Sequence, residues 1–504
     1  MEQTIARLKE VDREISLLGH AAAILGWDQE TYMPEKAIEE RSEQLAMLSA
    51  MRHEKATAPE TGELLSKLGA DEANPAGSAD LSALDSAFVR HVFRDYSRST
   101  KLPKDLVVRI AQATSKGQAV WQAARRDSDF AAFAPALKEL LTLTLEVSDA
   151  LGWEEHPYDP LLDEYEPFVK TSEVSAVFEK LRTDLVPLVE KIREAAPVDD
   201  SVVTRQFPVE GQAAFGRQVL EAMGWDFARG RLDVSTHPFT TSLGRDDVRL
   251  TTRYQEDFFN TGIFGTIHEG GHGLYELGFG EDIRGTSLAD GTSLGIHESQ
   301  SRMWENLIGR SLPFWRHFFP KLREIFPSQL EDIGVESFWK AVNTVKPSFI
   351  RVEADEVTYS LHIILRFRLE TELVTKKLAV DDLPERWNAE MEELLGIRPS
   401  NDAEGVLQDI HWSMGGIGYF PTYALGNLYA SQFMETMRQD ISSLDADIEA
   451  GRLTGILDWL RNNIHVHGSS KTAGELVRDV TGAPLDAGHF VRYLNDKFSG
   501  IYKF

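Results

Sequence analysis

Apolar residues recur every three to four positions along most of this chain, as in LKELLTLTLEVSDALGW (137–153), VFEKLRTDLVPLVEKIREA (177–195) and VTYSLHIILRFRLETELV (357–374). That period puts them on one face of an α-helix, whereas a strand would alternate them. The fold class expected is therefore mainly α. Polar joints containing Pro or Gly fall near 53–82, 196–212 and 280–295, the last reading GEDIRGTSLADGTSLG and expected to be a mobile loop. None is long enough to force a boundary, so the 504 residues are read as one large helical domain, 1–504, with two lobes around a groove as the permitted variant. RLDVSTHPFTTSLGRDDVRLTTRYQ (231–255) breaks the pattern, with β-branched alternation on both sides of the turn LGRDD. A short hairpin or small sheet is expected there.

Composition narrows the chemistry. Lys and Arg number 53 against 80 Asp and Glu, a net charge of −27, which argues against nucleic acid or an anionic membrane as partner. With no cysteine, disulfides and thiolate chemistry are excluded, and metal ligands must be His, Asp or Glu. No apolar run is long enough to span a membrane, and the N-terminal MEQTIARLKEVDREISLL reads as an amphipathic helix rather than a secretory leader. A cytoplasmic setting is expected.

The stretch FGTIHEGGHGLYELG (264–278) places adjacent glycines inside a helical pattern. Each interior glycine costs roughly 1 kcal/mol relative to alanine. His268 and His272 lie one turn apart on one face, where both imidazoles can reach a single metal ion. Ile263, Ile267, Gly270, Leu274 and Leu277 form an apolar stripe on the other side. The glycines are expected to let backbone, or substrate, approach a crowded metal helix. In an HExxH arrangement the glutamate, here Glu269, does not ligate; it acts as general base and then acid for an attacking water. A third ligand is needed, and SLGIHESQSRMWENLIG (293–309) offers His297 and Glu298 about 100° apart on a helix. Glu298 is chosen, giving two imidazoles and a carboxylate, a set that suits Zn2+ and also accepts cobalt or manganese.

Candidates for reading a substrate lie elsewhere. GVLQDIHWSMGGIGYFPTYALG (405–426) carries Gln408, His411, Tyr419 and Tyr423 in a segment expected to be partly irregular, and a tyrosine or histidine there could donate to an oxyanion. Core packing is the competing role for its aromatic residues. A free α-carboxylate calls for a guanidinium, and Arg249, Arg253 and Arg351 are candidates, with Asp355 spaced to pair with Arg351.

HPF (237–239), DVRLT (247–251), HEGGH (268–272), HESQ (297–300), IRVEAD (350–355) and GVLQDIHW (405–412), together with WDQETYMP (27–34), resemble the motifs of the zinc metallocarboxypeptidases related to carboxypeptidase Taq. The resemblance implies a helical, dimeric enzyme with a deep groove that removes single C-terminal residues from peptides with broad preference. It implies His268, His272 and Glu298 as ligands of one zinc per chain and Glu269 as base and acid. Arg249 and Arg351 would hold the terminal carboxylate, and His237, His411 and a tyrosine, with Tyr423 favoured over Tyr419, would serve substrate and oxyanion. Gln408 and Asp355 belong to the same substrate-binding motifs. The competing reading is a helical zinc oligopeptidase that cleaves internally, and a third is a peptide-binding protein with a structural metal.

Overall fold

A computed structural model describes all 504 residues. Helices follow one another along nearly the whole chain, including Phe130–Leu151, Thr171–Glu194 and Tyr359–Val374, where the sampled apolar repeats fall. One continuous apolar core of 107 buried residues runs from Leu8 to Tyr502. No helix is long and apolar enough to cross a membrane.

The elements that frame the site are few. At the N-terminus α1 (Glu2–Thr31) and α2 (Ile38–Ala56) pack against each other as an outer hairpin. It contributes little to the interior: α1 buries Leu8, Val11, Asp12 and Trp27, and α2 buries no residue. Strands β1 (Gly230–Val234), β2 (Thr240–Ser242) and β3 (Val248–Thr252) form a sheet in the order β1-β3-β2. The hairpin expected across LGRDD is β2 and β3, antiparallel with Thr240 opposite Leu250, its turn closed by Leu243 N–H donating to the Asp247 carbonyl at 2.8 Å. β1 adds on the other side, parallel to β3.

Next come α3 (Phe259–Glu276), which carries HEGGH, and α4 (Leu294–Arg302), which carries HESQ and runs on as a π-helical turn over Met303–Ile308. The 280–295 segment between them is irregular but tied down at three points. Ser287 N–H donates to Asp12, Ser469 N–H to the Leu288 carbonyl, and Thr292 Oγ1 to the Gly468 carbonyl. Helices α5 (Tyr359–Val374) and α6 (Pro421–Asp440) complete the frame.

The glycines of α3 are explained by what lies against them. A β-carbon at Gly270 would stand 2.5 Å from Leu220 Cδ2, and one at Gly273 2.4 Å from the Trp225 ring and 2.7 Å from Leu250 of β3. At Gly271 the neighbour is backbone: the Gln300 carbonyl oxygen and Ser301 Cα of α4, each at 2.7 Å. On the far side of α4, a β-carbon at Gly426 of α6 would meet Glu298 Cγ at 2.5 Å. Helix α4 is thus clasped between two glycine faces. Its N-terminus is set by Ser293, which caps Ile296 N–H, and by the fully buried Glu166, whose Oε1 accepts from Gly295 N–H.

Two sets of outcomes follow for stability, the first at the glycines. Gly271→Ala forces backbone apart, so it should lower stability by about 1–3 kcal/mol and weaken metal binding, read by thermal melting and chelator competition. Gly265→Ala, whose β-carbon would meet only Thr252 Oγ1 at an ordinary 3.5 Å, should be neutral or stabilising by up to ~1 kcal/mol, because alanine is the better helix former. The second concerns Glu166, whose carboxyl is pushed up to about 8 by burial and whose Oε2 has no partner. A proton held in the folded state but released on unfolding favours the fold below about pH 4.5, and that contribution is lost as pH rises towards 8. Glu166→Gln removes the dependence and keeps an acceptor for Gly295. Its melting temperature relative to the parent should therefore climb between pH 5 and pH 9; an unchanged difference would contradict the assignment.

Candidate metal and peptide site

The close approach of α3 and α4 brings three donor side chains together: the ligand atoms of His268, His272 and Glu298 all lie within 4.8 Å of one another. His268 Nε2 is 3.7 Å and His272 Nε2 3.5 Å from Glu298 Oε2, so both rings point the same nitrogen at the space the carboxylate faces. The remaining atoms are engaged elsewhere. His268 Nδ1 meets Glu305 Oε2 at 2.8 Å, while Glu298 Oε1 accepts from Arg302 Nε at 2.7 Å. Arg302 also reaches Glu305 at 3.2 Å, and Arg310 approaches Glu305 from the other side at 3.4 Å. Burial acts to lower the His268 imidazole, yet Glu298 and Glu305 outweigh it and raise it. His272 is lowered to about 3, by burial first, which leaves a neutral ring. Two imidazole nitrogens and one carboxylate oxygen, converging in an anionic surrounding, fit a divalent cation.

Glu269, beside His268, is buried with its carboxyl raised by that burial. Its Oε2 lies 2.7 Å from Thr240 Oγ1, and the same hydroxyl is 3.1 Å from the Glu269 carbonyl. Strand β2 therefore orients this carboxylate, with Oε1 making no hydrogen bond to the protein. Thr240 follows HPF directly, but nothing in the local sequence signals its bond to Glu269.

The 405–426 segment forms a second wall. His411 stands at the start of a short 3-10 turn, its Nε2 3.3 Å from the Tyr423 hydroxyl and its buried Nδ1 without a partner. Burial lowers this imidazole to about 4, with Arg351 and Arg366 adding to the effect against Asp409. Tyr419 packs between Tyr165 and Tyr423, at centroid distances of 4.9 and 5.3 Å. Burial raises both Tyr419 and Tyr423, and the negative charge of Glu298 contributes to each, so both phenols stay protonated.

Arg351 is 5% exposed and belongs to the same wall. Its Nε donates to Asp409 at 2.9 Å and its Nη1 to the Tyr359 hydroxyl at 3.1 Å. Arg366, fully buried in α5, shares Asp409 at 2.6 Å. Two guanidinium groups on one carboxylate leave one positive charge in excess. Gln408 fixes this pair, its Oε1 accepting from Arg351 N–H and from Arg366 Nη2, both at 2.8 Å. The Tyr359 ring lies 4.4 Å from the Arg302 guanidinium, so the cluster touches the residue that holds Glu298.

Other candidates lie apart. Arg249 forms two hydrogen bonds of 2.9 Å to Asp247 and stacks 4.2 Å from the Trp27 ring of α1; no hydrogen bond or ion pair joins it to the Arg351 cluster. Arg253 is exposed. Asp355 does not pair with Arg351; its oxygens accept from Lys346, Val357 and Thr358 N–H and from the Thr358 hydroxyl, a cap at the approach to α5. His237 is exposed, its imidazole makes no hydrogen bond, and its carbonyl accepts from Ser235 Oγ. Thr240, Glu305, Arg302, Tyr359, Asp409 and Arg366 were not marked as functional by spacing. Asp409 lies inside GVLQDIHW, and Arg302 and Glu305 inside the 293–309 stretch, all in segments already singled out for other residues.

Known proteins match this arrangement along the whole chain. The model of the carboxypeptidase Taq (M32) metallopeptidase family covers residues 7–498. Thermostable carboxypeptidase 1 of Thermus thermophilus is 43% identical, with 99% of both chains aligned, and carboxypeptidase 1 of Bacillus subtilis is 40% identical over 97% of both. Among solved structures, the M32 carboxypeptidase of Deinococcus radiodurans superposes with a TM-score of 0.96 at 38% identity over 100% of both chains. With HEGGH and HESQ folded into one donor set and relatives aligned end to end, the chain belongs to the carboxypeptidase Taq (M32) family of metallopeptidases.

Proposed function

We propose that this metallocarboxypeptidase releases single residues from peptides bearing a free C-terminal carboxylate, with broad side-chain preference, using Zn2+ held by His268, His272 and Glu298. The observation that carries the reading is the buried positive excess of Arg351, Arg366 and Asp409, joined to the metal donors through Tyr359 and Arg302. A cation set at one end of a catalytic space selects a chain end, because a free carboxylate neutralises it and an internal peptide bond does not. Zinc bound there would polarise the scissile carbonyl and activate water, and Co2+ would suit the same donors.

The chain's own groups divide the remaining work. Glu269, steered by Thr240, takes a proton from the attacking water through its free Oε1 and delivers it to the leaving amine; its raised carboxyl moves towards the range in which it can do both. Tyr423, protonated and backed by His411, is the donor for the developing oxyanion. Arg351 holds the substrate carboxylate while Gln408 keeps its backbone in place. Tyr419 and His237 line the approach. Arg249, tied to Asp247 and Trp27, acts on substrate only if that ion pair opens, so its share in carboxylate binding is secondary to that of Arg351. We read the chain as one catalytic domain around a groove, which the unbroken core supports, and as a homodimer by likeness to its family.

Two experiments test this. Glu269→Gln should lower kcat by roughly 10²–10⁴-fold with metal content unchanged, and Thr240→Val should lower it less while also retaining metal. Loss of metal or fold in Glu269→Gln would instead indicate a structural site. In the second, one peptide is offered with free and amidated C-termini and its products weighed by mass spectrometry. The free peptide should yield a ladder of single losses, and amidation should cut kcat/KM by on the order of 10²-fold, about the worth of a buried charge-assisted bond. Arg351→Gln should shrink that gap. Internal fragments from both peptides would favour the oligopeptidase.

A further inference from the structure

His297 is not one of the three donors, yet it is built into the site. Its Nδ1 lies 2.6 Å from His272 Nδ1, and its Nε2 lies 2.8 Å from Glu276 Oε1. The rings of His272 and His297 stand 4.7 Å apart, and Tyr275 packs against His297 at 5.1 Å. On its other face a β-carbon at Gly291 would come within 2.7 Å of His297 Cδ2, so the loop approaches closely enough to pin the ring. His297 and Glu276 side chains are only 17% and 11% exposed.

Two nitrogens 2.6 Å apart must share one hydrogen, and only one direction suits a metal ligand. If His297 donated to His272 Nδ1, the neutral His272 ring would carry its proton on Nε2, the atom facing Glu298 and the metal position. If His272 donates instead, its Nε2 lone pair is free. His297 then accepts on Nδ1 and carries its own proton on Nε2, where the Glu276 carboxylate receives it at 2.8 Å. Glu276 closes the sequence of donors. Its location also needs explaining, since it is the last residue of α3, where the helix dipole disfavours an anion and no basic residue sits in the final turn.

We propose that His297 and Glu276 are positioning residues of the metal site: they lock His272 in the Nδ1–H tautomer with Nε2 turned to the ion, as Glu305 does for His268. The inference rests on the assignment of His268, His272 and Glu298 as the metal donors. It gives the His272 ligand a longer support than the His268 ligand, an imidazole and a carboxylate in series. It also assigns to the histidine of HESQ a task distinct from that of the glutamate next to it.

The test is zinc affinity of the full-length protein by chelator competition, with melting of the metal-free form measured alongside. His297→Phe keeps a ring but removes the acceptor, and should weaken zinc binding by roughly 10–100-fold with the metal-free melting temperature held close to that of the parent. His297→Asn, whose side-chain carbonyl can accept from His272 Nδ1, should recover most of that loss. Glu276→Leu, which acts only through His297, should fall between the parent and His297→Phe. Parent-like affinity in His297→Phe, or an Asn variant as weak as Phe, overturns the proposal. If His297→Phe fails to fold, Glu276→Leu and His297→Asn decide it: weakened binding in the first and near-parent binding in the second support the relay, and any other pattern rejects it. His272→Ala is the separate control for the donor assignment, because zinc affinity unaffected by its removal would dismiss the metal site itself rather than its support.

Discussion

The site depends on backbone meeting backbone. Helix α4 lies against α3 at Gly271 and against α6 at Gly426, and at each crossing the space left by a missing side chain is filled by the helix that bears Glu298. The two imidazoles and the carboxylate are therefore positioned by rigid secondary structure, which holds a constellation more closely than loops do. The helix propensity lost at the glycines, roughly 1 kcal/mol each, is offset by this approach. A bulkier residue at either crossing would shift a ligand before it disturbed the fold.

Around that clasp the charged groups are arranged in two linked clusters of opposite excess. Near the metal donors, Glu298, Glu305 and Glu269 outnumber Arg302 and Arg310, as suits a dication. One aromatic ring away, Arg351 and Arg366 outnumber Asp409, as suits a carboxylate. A protein with net charge −27 thus keeps a local positive excess inside, where screening by salt is weak. Tyr359 touches both clusters, so displacement of either bears on the other.

What could be read from the sequence was whatever depends on local periodicity. The helix of HEGGH, the facing histidines, the stripe from Ile263 to Leu277 and the small sheet follow from residue spacing, and the identity of the neighbour at Gly271, backbone rather than substrate, was one of the two options spacing leaves. Glu298 could be selected over His297 because a carboxylate completes the ligand set, but spacing is silent on what His297 does. Thr240, Glu305 and Arg366 reach their partners across 29, 37 and 43 residues, and no local rule registers a contact at that separation. Asp355 shows the converse: four residues from Arg351 it invites pairing, yet backbone N–H groups at the approach to α5 take its oxygens first.

The N-terminal hairpin carries a consequence of a different kind. Helices α1 and α2 bury few side chains, and α1 meets the sheet through Trp27 over Arg249 and Tyr32 hydrogen-bonded to Asp233. Elements with little buried apolar area occupy the low end of a molecule's local unfolding free energies and open well before the core does. When this hairpin opens, the outer face of the sheet loses its cover and Arg249 loses its aromatic neighbour, while the clasp of α3, α4 and α6 stays closed. The fold thus grades its local stability, with the rim hairpin costing less to open than the body that holds the donor set.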